Sequence, residues 1–356
     1  MKRLAICLLA ASVLGGTAAL AQGEMTYTAT DFLKYPANIY AGEVSGVATN
    51  AAGHVFVIQR AGNPYASLGG SRIFVHGEDQ VLEFDATGKF VREIAKGNYS
   101  NLVSNSVRVD AQNNIWTVDR SSGMVIKYSP NGSQILMMLG RKPESINITV
   151  VGAAGRGAAG GRGGRGGAAP GAGGRQDVFS GSSDVAFDGQ GNIFIADGLG
   201  ANNRVAKFTR DGVFVESFGK TGSDNDSLNS VRSIAVDAVG NVYVADTGNK
   251  RIQVLSNDLK SVVRTISGVG DNPSAVCISP GAHQYLYVSN SNAMNDLEHG
   301  GEIYRVELSG QVVGKFGKAG KEPRAFASVN QLDCRQANTL YTAEAGAYRV
   351  QKVTLR

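Results

Sequence analysis

The chain has 356 residues, of which 42% are hydrophobic and 18% charged, and its formal net charge is +5. Lys2, Arg3 and four arginines between 152 and 176 carry this excess, and the rest of the chain has a formal charge of −1. The positive charge therefore belongs to two short segments. A basic surface on the folded body is excluded, and we expect no nucleic-acid partner.

The first 21 residues have the features of a secretory signal peptide. Lys2 and Arg3 precede an apolar run over 4–14, and Ala-Leu-Ala at 19–21 forms a cleavage site. The apolar run is too short to span a membrane, and no other stretch of about 20 apolar residues follows. We expect an exported protein, periplasmic or secreted, that is monomeric and does not insert into a membrane.

Six copies of one short phrase follow, each an apolar strand that ends in a polar residue. The clearest copies are GNIFIAD (191–197) and GNVYVAD (240–246). The last residues of the six copies are spaced 60, 78, 49, 44 and 54 apart and are Gln59, Asp119, Asp197, Asp246, Asn290 and Glu344. A period of about 40–50 residues with four strand-like runs per unit is typical of a β-propeller. We predict an all-β fold, a six-bladed β-propeller with four antiparallel strands in each blade.

The blades are predicted within one domain over 22–356. Their bounds are 44–96, 104–140, 178–219, 230–267, 272–317 and 326–354. The sixth blade ends with only three strands, so a segment around 26–41 should supply the fourth and close the ring. Between blades 2 and 3, residues 152–176 contain 12 Gly, 7 Ala and four Arg. Such a segment buries too little apolar surface to offset its ordering entropy, and we predict that it is disordered.

Two long insertions indicate where a site would lie. They follow the second strand of blade 1 (61–79) and of blade 5 (290–301). Because strand direction alternates within a blade, both should emerge on the same face of the ring. We expect the functional site on that face, at the mouth of the central channel.

Several residues have a predicted structural role. Trp116 is expected in the core between blades. A carboxylate at the end of a second strand and an arginine at the start of the third should close the loop between them. These pairs are Asp197 with Arg204, Asp246 with Arg251, and Glu344 with Arg349.

Cys277 and Cys334 lie on the first strands of neighbouring blades. Sheets that pack face to face lie about 10 Å apart, whereas a disulfide requires Cα atoms within about 7 Å. We therefore predict two buried thiols, and a disulfide is the alternative.

Two segments, ADTGNKRIQVL (245–255) and ADGLGANNRVAKF (196–208), resemble NHL repeats, a family of six-bladed propellers. Four segments at 44–60, 105–119, 182–198 and 244–254 are also similar, in order and spacing, to the peptidyl-hydroxyglycine α-amidating lyase family. That resemblance implies a zinc enzyme whose metal is held by three histidines at the start of alternate first strands.

Most of the functional residues implied by that resemblance are replaced here. The three zinc-histidine positions hold Asn105, Arg232 and Asn330. The tyrosine position falls near Leu199, one arginine position on Thr247, and the calcium-site aspartate on Gln331. Arg60 matches the remaining arginine. An Asn amide is a poor zinc ligand and an Arg repels the metal, so no zinc is expected at these positions.

The start of each first strand contributes one residue to a predicted ring around the channel. The ring consists of Ser45, Asn105, Ser183, Arg232, Ser274 and Asn330, with Arg60 at the rim. Arg232 should be shielded from water and needs a counter-charge, which a bound anion would supply. Alternatively, Arg232 pairs with an acid such as Asp184 or with carbonyls of the inner strands.

These observations predict a non-catalytic module, related to the lyase in sequence, that binds a small anionic molecule, a peptide or a protein at the channel mouth without a cofactor. The alternative is a lyase or hydrolase with a rearranged site that uses zinc or calcium. His76 and His299 lie near acids in the two long loops, and a metal between those loops belongs to this alternative.

Overall fold

A computed structural model of the chain describes residues 23–60, 66–68, 72–74, 79–98, 101–140 and 178–356. The predicted signal peptide (1–21) and the predicted disordered segment (152–176) lie outside the described residues. The described chain is all-β, with one short 3-10 helix at Thr247–Asn249. It forms six blades, each of four antiparallel strands as predicted, arranged as a β-propeller.

Strand bounds follow the repeat closely. Two N-terminal strands, β1 (Gly23–Glu24) and β2 (Tyr27–Asp31), precede the first blade. Blade 1 has β3 (Glu43–Thr49), β4 (Val55–Arg60), β7 (Asp79–Phe84) and β8 (Phe90–Ile94), with a hairpin of β5 (Ala66–Leu68) and β6 (Arg72–Phe74) between β4 and β7. Blade 2 has β9 (Ser104–Val109), β10 (Ile115–Asp119), β11 (Met124–Tyr128) and β12 (Ile135–Leu139). Blade 3 has β13 (Ser182–Phe187), β14 (Ile193–Asp197), β15 (Arg204–Phe208) and β16 (Phe214–Phe218).

The other half of the ring has the same order of strands. Blade 4 has β17 (Val231–Val236), β18 (Val242–Asp246), β19 (Arg251–Leu255) and β20 (Val262–Ile266). Blade 5 has β21 (Pro273–Ile278), β22 (Tyr285–Asn290), β23 (Glu302–Glu307) and β24 (Val312–Phe316). Blade 6 has β25 (Val329–Gln336), β26 (Thr339–Glu344) and β27 (Arg349–Leu355). The first strand of each blade lines the channel.

The N-terminal segment closes the ring as predicted. Strand β2 pairs with β27 in antiparallel register, from Tyr27 opposite Leu355 to Asp31 opposite Gln351. The same segment also contacts both neighbouring blades, because β1 pairs in parallel with β24 of blade 5 and Lys34 N donates to Gly88 O of blade 1 at 2.7 Å. One continuous segment therefore joins the outer edges of blades 5, 6 and 1.

The core lies between the blades. Trp116 is 1% exposed and packs with side chains of blade 3, among them Val185 and Ile195, which confirms its predicted position. Its ring lies 5.0 Å from that of Phe187, and its indole N–H donates to Asp110 at 3.0 Å. A blade sheet is apolar on both faces, so each blade depends on its neighbours for burial.

The three predicted carboxylate–arginine pairs are confirmed. Arg204 lies 3.2 Å from Asp197, Arg251 lies 2.7 Å from Asp246, and Arg349 lies 3.3 Å from Glu344. All three carboxylates are fully buried. The acids also accept backbone N–H groups of the segment that leads into each first strand, so these pairs hold the loops on the site face.

The prediction of two free thiols was wrong, because Cys277 and Cys334 form a disulfide with a Cα–Cα distance of 6.0 Å. The assumed spacing of about 10 Å applies to sheets packed face to face. First strands converge on the channel axis, so β21 and β25 approach each other more closely than the outer parts of the same blades. The disulfide joins blade 5 to blade 6, beside the ring closure.

Candidate ligand site at the channel mouth

The first strands are irregular where they enter the channel. Register shifts occur between Val44 and Gly46 in β3 and between Val231 and Ile234 in β17, and similar shifts occur in the other first strands. A bulge leaves backbone groups without partners in the ladder, and buried N–H and C=O groups require hydrogen bonds from elsewhere. Polar side chains inside the channel supply them.

Gln331 lies at the centre of this network. Its Oε1 accepts from Val47 N at 3.0 Å and Val107 N at 3.2 Å, and its Nε2 donates to Val107 O at 2.7 Å. A Cβ at Gly46 would lie 2.5 Å from Gln331 Oε1, so glycine is required there for the amide to reach both strands. Gln331 thus joins the inner strands of blades 1, 2 and 6 at the position where the family resemblance placed a calcium ligand.

Arg108 and Asp184 cross the channel beside Gln331. Arg108 Nε and Nη2 donate to the two carboxylate oxygens of Asp184 at 2.9 and 2.6 Å, and Nη1 donates to Leu332 O at 2.8 Å. Burial alone would lower the pKa of Arg108, but the charge and hydrogen bonds of Asp184 raise it overall. This ion pair and Gln331 fill the interior of the channel with satisfied polar groups.

Five of the six predicted ring residues bind backbone carbonyls. Asn330 Nδ2 donates to Ser45 O at 2.5 Å and Asn105 O at 2.8 Å, and Asn105 Nδ2 donates to Ser183 O at 2.7 Å. The serine hydroxyls of the ring (Ser45, Ser183 and Ser274) also donate to carbonyl oxygens. Asn330, Asn105 and Ser183 thus connect different blades, whereas Ser45 and Ser274 bind carbonyls of their own blade.

Arg60, the residue predicted at the rim, already has a counter-charge. Its Nη1 lies 3.1 Å from Glu43 Oε2, and its Nε donates to Ser104 O at 3.1 Å. It therefore joins blade 1 to blade 2. Thr247, at the position of the family's other arginine, donates to Pro273 O at 2.6 Å and joins blade 4 to blade 5.

Arg232 is the exception in the ring. It is partly buried, its Nε is fully buried without a hydrogen-bond partner, and the guanidinium makes no hydrogen bond or ion pair with any described residue. Pairing with Asp184 does not occur, because Arg108 occupies that carboxylate. Burial lowers the pKa of Arg232, and the charge of Arg120 lowers it further.

Arg120 is a site residue that the sequence analysis missed. It follows β10 directly, is exposed, and makes no side-chain hydrogen bond or ion pair with the described residues. Asp119 shapes this turn by accepting from Ser121 N at 3.0 Å and Ser122 N at 2.7 Å. Arg120 occupies the same position in the repeat as Arg60, one residue after the polar residue that ends the repeated phrase, and that equivalence was the available signal.

Asp79 lies beside Arg60 at the rim. It is the cross-strand partner of Arg60 and accepts a hydrogen bond from Ser104 N. Burial raises the pKa of Asp79 to about 6, although the bond from Ser104 and the charge of Arg60 act in the opposite direction. Asp79 is thus an acid that titrates close to neutral pH.

The histidines of the described residues do not come together. His54 lies 2.7 Å from Glu83, His283 lies 2.8 Å from Glu307, and the exposed His299 lies 3.2 Å from Asp296. His76 lies outside the described residues. Within the described ranges, no group of three or more His, Cys, Asp or Glu side chains is arranged to hold a metal ion.

A cavity of about 250 Å³ opens at the other end of the channel, away from Arg232. Its lining includes Arg108, Phe187, Val236, Asp333 and the disulfide. The charged groups there have partners, since Asp333 accepts from Thr49 Oγ1 at 2.8 Å and Arg108 binds Asp184. We place the candidate site at the opposite mouth because only there is a partly buried charge without a partner among the described residues.

The fold and the channel define a six-bladed β-propeller that carries an NHL repeat. The sequence profile of the NHL repeat matches residues 228–255, which contain β17, β18 and β19. The chain is similar to NHL repeat-containing protein 3 of Mus musculus, with 29% identity over 49% of this chain and 50% of that protein. It is also similar to peptidylglycine alpha-amidating monooxygenase of Rattus norvegicus, with 25% identity over 88% of this chain and 30% of that protein.

The chain therefore spans half or less of the length of these two relatives. Among solved structures, a streptogramin B lyase has a similar fold, with a TM-score of 0.57, 12% identity, and coverage of 93% of this chain and 98% of that chain. At that identity the likeness concerns the fold alone. In the described residues, no helix is long and apolar enough to cross a membrane.

Proposed function

We propose that this protein is an exported binding module that holds an anionic ligand at the mouth of its channel, with Arg232 as the anchor. The observation that carries the proposal is the guanidinium of Arg232, which is partly buried and has no counter-charge among the described residues. A buried charge without a partner is costly by several kcal/mol unless a counter-charge compensates it.

A second buried guanidinium shows why this lack of a partner is informative. Arg305 Nε also has no hydrogen-bond partner, but its guanidinium lies 3.5 Å from the centre of the Tyr285 ring and is stabilised there by a cation–π contact. Arg232 has neither an ion pair nor a ring contact with the described residues. An anionic ligand is the partner that its chemistry fits, since a guanidinium binds carboxylate or phosphate with two parallel hydrogen bonds.

The other ring residues support a binding role over a catalytic one. The side chains at the implied zinc positions are two amides that donate to carbonyls and one cation, and none of these is a good metal ligand. The signal peptide predicted for 1–21 and the inter-blade disulfide support export, because disulfides persist in oxidising compartments.

A lyase or hydrolase is the second candidate function, and Asp79 is the observation that favours it. An acid whose pKa is raised to about 6 at the rim of a ligand site is suited to proton transfer near neutral pH. Turnover of an anionic ester or amide that is lost in the Asp79→Asn variant, while anion binding is retained, would establish this candidate.

The test of the binding proposal is a crystal soaked in selenate, together with calorimetric titration of sulfate in solution. We expect an anomalous peak within hydrogen-bond distance of Arg232 and saturable sulfate binding, both lost in Arg232→Gln. Arg305→Gln is the matched control, because it also removes a partly buried guanidinium, and it should bind sulfate normally. A channel mouth that contains no selenate, with no measurable binding in solution, would contradict the proposal.

A further inference from the structure

Arg120 and Arg232 come from different blades but are held against one strand between them. Arg120 follows β10 of blade 2, and Ser182 Oγ of β13 donates to the carbonyl of the preceding residue, Asp119, at 3.2 Å. On the other side of β13, Ser183 Oγ donates to Val231 O at 2.9 Å, directly before Arg232. Both arginines are therefore positioned by the first strand of blade 3, at the same mouth of the channel.

The positive charges of Arg120 and Arg232 act on each other. Burial and then the charge of Arg120 lower the pKa of Arg232, and no carboxylate of the described residues acts on it in the opposite direction. Like charges at short range raise the energy of the empty site, and partial burial strengthens the effect because the local dielectric is lower than in water.

Four acids of blades 1 to 3 already have partners. Asp119 accepts four backbone N–H groups, from Leu102, Val103, Ser121 and Ser122. Asp184 is bound by Arg108, and Glu43 by Arg60. Asp79 accepts from Ser104 N beside Arg60. None of these carboxylates forms an ion pair with Arg120 or Arg232, so within the described residues both arginines at the mouth lack a counter-charge.

We propose that Arg120 and Arg232 form a two-cation site that selects ligands with two negative charges, such as a dicarboxylate or a phosphate monoester. This inference rests on the proposed anion-binding function and adds the ligand class to it. A monoanion compensates the charge of one guanidinium and leaves the charge of the other uncompensated. A dianion compensates both charges and removes their repulsion. Selectivity for dianions then follows from the charge of Arg120, and affinity for any anion follows from Arg232.

The experiment compares succinate with butyrate by calorimetric titration at low ionic strength, because these probes share a four-carbon chain and differ in carrying two carboxylates or one. Methyl phosphate is the third probe and places both charges on one group. We expect wild-type protein to bind succinate or methyl phosphate at least about tenfold more tightly than butyrate. If succinate binds more tightly than methyl phosphate, the site fits a ligand with its charges on two groups. If methyl phosphate binds more tightly, the site fits a ligand with both charges on one group.

The variants separate this inference from the function on which it rests. In Arg120→Gln, the ratio of the affinity for the better dianion to that for butyrate should fall to about one, while butyrate still binds. In Arg120→Lys, the dianion should still bind more tightly than butyrate. In Arg232→Gln all three probes should lose binding. Equal affinity for mono- and dianions in wild-type protein, or an unchanged preference in Arg120→Gln, overturns the two-cation site and leaves the anion site intact. No binding of any probe by wild-type protein overturns both.

Discussion

Arg108 and Asp184 form a two-point ion pair between the first strands of neighbouring blades, with N–O distances of 2.9 and 2.6 Å. The same carboxylate accepts from Ser233 Oγ at 2.7 Å and Ile234 N at 3.2 Å, the two residues that directly follow Arg232 on β17. Asp184 therefore stabilises the bulge next to Arg232 without compensating its charge. Of the described residues, Arg108 thus has a carboxylate partner in the channel, whereas Arg232 has none.

This difference predicts opposite effects of the same substitution. Arg108→Met should lower the free energy of unfolding by about 3–5 kcal/mol, because it leaves Asp184 buried without its counter-charge. Arg232→Met should raise it by about 1 kcal/mol in the absence of ligand, because it removes a partly buried charge that has no partner among the described residues. Urea denaturation followed by circular dichroism measures both.

The surface variant Arg210→Met is the control, since Arg210 is 76% exposed and should change stability little. A destabilised Arg232→Met variant would show that the guanidinium has a structural partner in the ring, and it would count against the binding proposal.

The disulfide predicts a loss of stability on reduction. Replacing Cys277 and Cys334 by serine should lower the free energy of unfolding by about 2–4 kcal/mol, because the bridge closes a long loop in the unfolded chain. Anion binding should be unchanged, since the bridge lines the cavity at the opposite end of the channel from Arg232. Thiol titration of unfolded mature protein under non-reducing conditions should find no free cysteine, and two reactive thiols would contradict the assignment.

The repeat was sufficient to predict the fold, because each copy places turns and strands at fixed offsets from one polar residue. The predicted bounds of blade 3 (178–219), which contain β13 to β16, and the Asp246–Arg251 pair are examples of such local information. The hydrogen bonds and ion pairs inside the channel could not be predicted from the repeat. Gln331 binds Val107, which is 224 residues away, and the partner of Asp184 is Arg108 of another blade.

Contacts of that kind depend on how six first strands converge on one axis, which the repeat does not encode. The same convergence explains why the spacing argument failed for Cys277 and Cys334. Arg120 was missed for a related reason. Its equivalence to Arg60 places it on the site face, but only the structure shows that Arg60 has a carboxylate partner and that Arg120 has none in the described part of the chain.

The protein should not release glyoxylate from a peptidyl-α-hydroxyglycine, with or without added zinc. At the implied zinc positions, Asn105 and Asn330 donate to backbone carbonyls, and Arg232 is a cation that would repel the metal. The measurement is glyoxylate release from such a peptide, with metal analysis of untagged protein beside it. Turnover well above background, or stoichiometric zinc in the purified protein, would contradict this prediction and favour the enzyme alternative.

Asp79 predicts a specific dependence of stability on pH. Its pKa rises from 3.8 to about 6 on folding, so its contribution favouring the folded state is fully present below about pH 4 and is lost as pH rises through 6. Asp79→Asn keeps an oxygen that accepts from Ser104 N but does not titrate. The variant should therefore match wild type near pH 4 and exceed it above pH 7, by at most about 3 kcal/mol in the free energy of unfolding.

Urea denaturation of both proteins across pH 4–8 measures this difference. Asp211→Asn is the control, because Asp211 is 78% exposed on the blade 3 hairpin, and its stability should follow wild type at every pH. If Asp79→Asn and wild type instead diverge towards acid pH, with the variant less stable at neutral pH, the Asp79 carboxylate is stabilised in its charged form by Arg60. Asp79 would then be a structural partner of that arginine rather than an acid that titrates near neutral pH.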